Sequence, residues 1–182
     1  MKEHLTEDPA ASREVIEMIT VANEYCLFFE KAESYGSEQI MEYFRKIAPL
    51  IYLKGALLPG TNVTDSRVAE RFVTEEQWEG VFKTLREQFG DADVYYEHDH
   101  NFDSVQASLS DNMADIYQDM KDFIMLYQRN TLAARQNAVS LLRDLYQWRW
   151  GPALLSALGA VHNIVFRENI DPGLFPDDVT WD

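Results

Sequence analysis

Cysteine, glycine, proline and basic residues are all scarce in this chain, and each scarcity closes off a class of protein. The one cysteine, Cys26, has no internal partner, so no disulfide framework holds the fold. Glycine and proline together supply 14 of 182 residues, about 8% against a usual share of roughly 12%. So few turn formers in a long chain predict few, long elements, which favours helices over many short strands. No run approaches the roughly 18 apolar residues that a membrane span needs. Lys and Arg number 16 against 31 Asp and Glu, a net charge of −15. That surface repels phosphate backbones and anionic lipid, which argues against nucleic-acid and membrane partners.

Material for a core is abundant. Hydrophobic residues make up 46% of the chain and aromatic residues 13%, enough for one domain without staples. The expected fold is all-α: a bundle of about five main helices with long polar connectors and a coil C-terminal tail. It forms a single helical domain over residues 1–182, with 1–11 and 169–182 as loose tails. The opening MKEHLTEDPA lacks the apolar stretch of a signal peptide, and the cytoplasm is the expected compartment.

Helical spacing is clear along most of the chain. After Ser12, read as an N-cap, Val15, Ile19, Ala22, Cys26 and Phe29 share one face, and Tyr35-Gly36 is expected to end that helix. Ser37 is expected to cap the second, with Ile40, Phe44, Ile47 and Ile51 on its apolar face. Pro49 lies inside it and predicts a kink or two shorter helices. Residues 60–73 read as a polar connector with a helical turn near Ser66. Thr74-Glu75-Glu76-Gln77 is a capping box, and opens a third helix carrying Trp78, Val81, Phe82, Leu85 and Phe89 as far as Gly90.

Residues 91–107 read as a second connector; Val94-Tyr95-Tyr96 has strand character but no evident partner. Leu109, Met113, Ile116, Met120, Phe123 and Tyr127 form the most regular seam, suited to shallow packing in a bundle. The last pattern starts near Thr131, runs through Ala138, Leu141, Leu145 and Trp148, breaks at Gly151-Pro152, and resumes with Leu155, Leu158, His162 and Val165.

Few side chains suggest chemistry. Asp111, Asp115, Asp119 and Asp122 are spaced four, four and three, so they line one helix face, roughly 120° from the seam. The expectation is a solvated acidic face, with a cation or a basic side chain offsetting the repulsion. The alternative is a Mg²⁺ or Mn²⁺ site built from Asp111, Asp115 and Asp119. Glu97-His98-Asp99-His100 has the donors of a transition-metal site but reads as a loop, without the second Glu-x-x-His pair of di-iron bundles. Glu14-x-x-Glu17 and Glu30-x-x-Glu33 resemble the acidic pairs of all-α nucleotide pyrophosphohydrolases. Both pairs read as lying on one helix, however, where they cannot converge.

In Trp148-Arg149-Trp150-Gly151, Trp148 fits the core seam. Trp150 falls off it; packing is the favoured reading of the motif, and a partner anchor with Arg149 as cationic handle is the alternative. His162 reads as a hydrogen-bonded core histidine. No phosphate loop, Cys-x-x-Cys pair or nucleophile elbow occurs, and no cofactor is expected.

The stretch from Leu109 to Met120 with its Asp115-Ile116-Tyr117-x-Asp119 core, then Trp150-Gly151, Ala157-Leu158-Gly159-Ala160-Val161-His162 and the early Ala22-Asn23-Glu24-Tyr25-Cys26, resembles a bacterial family catalogued as domain of unknown function 5063. The resemblance implies an all-α protein with no established activity. The family pattern tends to carry a second acid where this chain has Asn112 and a histidine where it has Arg149, so any polar site in relatives is altered here.

Two functional readings follow. The favoured one is a non-catalytic helical module that binds a protein partner or forms a homodimer, with Asp111, Asp115, Tyr117, Asp119, Arg149, Trp150 and His162 as candidate binding residues. The alternative is a divalent-metal-dependent hydrolase that uses the acidic stripe.

Overall fold

The computed structural model describes residues 8–98 and 101–166. Six α-helices carry the fold among these residues: α1 (Arg13–Phe29), α2 (Ser37–Ala56), α3 (Glu75–Phe89), α4 (Leu109–Tyr127), α5 (Leu132–Trp148) and α6 (Trp150–Phe166). A hairpin, β1 (Val94–His98) and β2 (Ser104–Ser108), lies between α3 and α4. The mostly helical architecture agrees with the sequence reading. No helix among the described residues is long and apolar enough to cross a membrane.

The regular seam of α4 explains the arrangement. Its apolar face predicts a core helix, and α4 packs against α1, α3, α5 and α6. Twelve of its 19 residues are buried, more than a single seam supplies. A helix enclosed on several sides buries part of its polar face as well, and this sets up the site described below.

The N-terminal boundary differs from the expected loose tail. Asp8 caps a turn at Pro9–Ala11, Ala10 is fully buried, and the Tyr127 hydroxyl donates to its carbonyl at 2.8 Å. Residues 1–7 and the tail expected from Asn169 lie outside the described residues. Ser12 is the N-cap of α1, although its hydroxyl makes no capping bond.

The first helix stops at Phe29, well before Tyr35-Gly36. Gly36 has φ −78° and serves as the N-cap of α2, so Ser37 is the first helical residue and no left-handed stop exists there. The elbow is held by packing: the Phe28 ring stacks on Tyr35 at 4.5 Å and on Tyr43 at 3.6 Å. Pro49 interrupts nothing, because α2 is continuous from Ser37 to Ala56. Packing on α1 and α6 holds that helix despite the missing donor. The Thr74 capping box forms as expected, and Gly90 ends α3 with φ +53°.

Val94-Tyr95-Tyr96 does have a partner. Val94 pairs with Ser108 and His98 with Ser104 in an antiparallel register. The sequence hid β2 because Ser104, Val105 and Gln106 are all exposed and show no alternation.

The elbow after α5 corrects the largest misreading. The break falls at Arg149 (φ −122°, ψ −85°), two residues ahead of Gly151-Pro152, and α5 and α6 are two helices and not one kinked helix. Pro152 then sits in the first turn of α6, where a missing amide costs little. A broken helix loses its phase. Trp148, expected in the core, is 68% exposed, whereas Trp150 is wholly buried and donates through Nε1 to the Leu142 carbonyl at 3.0 Å. The inward face of α6 becomes Trp150, Leu154, Ala157 and Val161, so Leu155 and His162 turn outward. Trp150 fits because Gly55 of α2 lies beneath it; a Cβ at position 55 would come within 2.2 Å of the indole.

Candidate functional site

The acidic stripe of α4 does not face water along its length. Asp111 at the N-terminal end is exposed, but Asp119 and Asp122 are 1% and 6% exposed. Two arginines from elsewhere in the chain close over the stripe. Arg149 comes from the α5–α6 elbow, and Arg71 from the connector between α2 and α3.

Their hydrogen bonds join the carboxylates into one network. Arg149 donates through Nη1 to Asp119 Oδ1 at 2.7 Å. Through Nη2 it donates to Asp115 Oδ1 at 3.2 Å and Gln118 Oε1 at 2.8 Å. Arg71 Nη2 reaches the same Asp119 Oδ1 at 2.9 Å, and Arg71 Nε pairs with Asp122 Oδ2. Asp115 Oδ1 also accepts from Trp78 Nε1 at 3.0 Å. Asp122 Oδ1 accepts the backbone amides of Phe72 and Val73 at 2.6 and 2.8 Å. Asp122 thereby caps the end of the connector where α3 begins.

The offset that the stripe requires is therefore supplied by guanidinium groups. Each is shared among several acceptors, and the charge-assisted bonds are the strong kind. Burial lifts the Asp119 carboxyl to about 6, because desolvation outweighs the attraction of Arg149 and Arg71. Its second oxygen, Oδ2, is buried without a hydrogen-bond partner among the described residues. Asp111 is raised as well, by burial and by the charges of Asp115 and Asp93.

The candidate residues separate into two sets. Asp115, Asp119 and Arg149 meet in this network, whereas Asp111, Tyr117, Trp150 and His162 do not. Tyr117 leaves α4 on another side, and its hydroxyl donates to Glu30 at 3.1 Å, beside the Lys121–Glu30 ion pair at 2.6 Å. Trp150, weighed as packing against a partner anchor, is a core residue. His162, read as a core histidine, is exposed and packs on the Phe166 ring, with centroids 4.8 Å apart. Sequence reading missed Arg71, Trp78 and Gln118 as members. Arg71 lies in a connector where no periodicity points inward.

Among the described residues no group of three or more His, Cys, Asp or Glu is arranged to hold a metal ion. Asp119 Oδ1 already accepts from two guanidinium groups. Glu97 and His98 lie on β1, not in the expected loop, while Asp99 and His100 fall outside the described residues. The two acidic pairs near the N-terminus do not share one helix, because α1 stops at Phe29 and carries only Glu14 and Glu17 of them; Glu17 pairs with Arg13 and Lys54, and Glu30 with Lys121. Cys26 is buried and burial drives its thiol pKa upward, so it behaves as a small hydrophobe.

A family model described as Domain of unknown function (DUF5063) matches residues 9–167. The crystal structure of protein BF1032 from Bacteroides fragilis is similar, with a TM-score of 0.78 and 31% sequence identity over 86% of this chain and 94% of that one. No curated protein matches. The helices, the hairpin and the α4 network described above thus belong to a chain that is a member of the DUF5063 family.

Proposed function

We propose that the protein is a non-catalytic helical module that binds a protein partner or a second copy of itself. The observation that carries this reading is the outward face of α2. Leu50, Leu53 and Leu57 are 39%, 52% and 49% exposed. They recur at three- and four-residue steps on the side opposite Ile51 and Gly55, which face the core. One exposed leucine is ordinary, but three in a row along a helix form a stripe that association would bury. The exposed Trp148 takes the place that the alternative reading of the sequence gave Trp150 as an aromatic anchor. The arginines on the acidic stripe support the same reading, since they engage Asp115 and Asp119, two of the three carboxylates that would serve a metal-dependent hydrolase.

Light scattering coupled to size-exclusion chromatography tests it, run on the full chain and on Leu53→Glu. A mass above the 21.1 kDa monomer, or a co-eluting partner, is expected for the native chain and is expected to be lost in the variant. A strictly monomeric protein that retains no partner overturns the reading. Calorimetric titration with Mg²⁺ and Mn²⁺ provides the contrast: saturable heat that disappears in Asp115→Asn would move the assignment to metal-dependent hydrolysis.

A further inference from the structure

The last helix is unusual for so charged a chain. Charged residues make up 26% of the sequence, yet the 17 residues of α6 include no Asp, Glu, Lys or Arg. Its inward face is filled by Trp150, Leu154, Ala157 and Val161. Its outward face offers Leu155, Gly159, His162 and Asn163 to solvent. A helix without a charged face is normally covered all round, and among the described residues nothing covers Leu155, Gly159, His162 and Asn163.

Beside that face runs an open groove of about 730 Å³ between α6 and β1. Leu155, Gly159 and Asn163 line one wall, and Tyr95, Glu97 and Asp91 the other. The wall is open at Gly159, where an added Cβ would meet nothing within 4 Å. Apolar contact is on offer from Leu155, 48% exposed, and from the half-buried Tyr95, which lies on the α6 side of β1. Negative charge sits at the rim. Among the described residues neither Asp91 nor Glu97 is in an ion pair.

The sign of that rim selects the occupant. A second copy, at −15, would bring more negative charge to it. The chain's own residues 167–182 hold Glu168, Asp171, Asp177, Asp178 and Asp182 against Arg167 alone, which is again the wrong sign. A segment with lysine or arginine flanking an apolar stripe complements both the floor and the rim. We propose that the groove between β1 and α6 receives a basic amphipathic segment of a partner protein. Its apolar side packs on Tyr95, Leu155 and the open surface at Gly159, and its cationic side chains meet Asp91 and Glu97. This assignment rests on the partner-binding reading and names the chemistry of the partner.

The test is fluorescence anisotropy of a labelled Lys/Leu peptide with leucines at helical spacing, titrated with the full chain. A Glu/Leu peptide of the same spacing is the control. Gly159→Leu fills the groove without changing any charge, and its unchanged helicity is checked by circular dichroism. Asp91→Asn with Glu97→Gln removes the rim charge. The Lys/Leu peptide is expected to bind the native chain and to bind either variant about tenfold more weakly, while the Glu/Leu peptide does not bind. Absence of binding overturns the proposal. So does equal binding by Gly159→Leu, which would mark diffuse attraction to an acidic surface. A native oligomer that Gly159→Leu dissociates also overturns it, in favour of a second copy. If the native chain keeps a partner or oligomer that Gly159→Leu leaves intact, and the peptide fails, the groove assignment falls while the partner reading stands. If the chain is monomeric, retains nothing and binds no peptide, both fall.

Discussion

Arg149 and Asp119 meet at 2.7 Å, and this contact ties the elbow after α5 to the buried middle of α4. The Asp119 side chain has no solvent exposure and that of Arg149 is 24% exposed, so water screens the pair poorly.

Arg149→Met is therefore expected to destabilise the protein by about 3 kcal/mol at neutral pH, because it leaves a buried carboxylate with half its compensation. Adding Asp119→Asn should recover part of the loss, as coupled neighbours do. Urea unfolding of the two single variants and the double variant measures the coupling. Strictly additive losses would show that the contact is not energetically shared.

The pH dependence follows from Asp119. Its folded value of about 6 lies above the ordinary 3.8. The folded state thus holds this proton more tightly than the unfolded chain does. The contribution is fully present below about pH 4 and is lost as pH rises through about 6, a change on the order of 3 kcal/mol. Asp119→Asn removes that slope. Stability profiles of the native chain and Asp119→Asn should converge or cross between acid and neutral pH, the variant gaining relative to the native chain as pH rises. Parallel profiles would contradict the assignment.

Two glycines in helices give opposite outcomes. Gly55→Ala forces a methyl to within 2.2 Å of the Trp150 ring, and is expected to cost about 1–3 kcal/mol, with a shift in tryptophan emission. Gly159→Ala meets open space, and is expected to add about 0.5–1 kcal/mol through helix propensity. Thermal melts of both variants decide; a neutral Gly55→Ala would mean that Trp150 has room to move.

Asp122→Ala leaves the amides of Phe72 and Val73 without their acceptor. The expected result is faster amide hydrogen exchange over residues 60–73 and a stability loss of about 2 kcal/mol. Protection factors unchanged in that connector would mean that other contacts hold it.

Much of this structure is written locally. The α4 seam and the Thr74 capping box each depend on residues a few positions apart, and each forms as read. The features that sequence reading misplaced depend on distant partners. Trp148 and Trp150 exchange places because a single non-helical residue, Arg149, resets the phase. The acidic stripe looked solvated because nothing near it announces that Arg71 and Arg149 will cover it. Exposure defeats pattern at β2, where solvent on both faces erases alternation.

Asp119 also sets an order of events. Its contact with Arg149 closes a separation of 30 residues, and its contact with Arg71 one of 48. Both arginines lie outside regular helix, so neither segment gains this anchor until α4 is in place. Closing the longer span costs more chain entropy. The connector that carries Arg71 is thus expected to dock late, after the folding barrier, so that Arg71→Ala speeds unfolding and leaves the refolding rate nearly unchanged in a stopped-flow chevron.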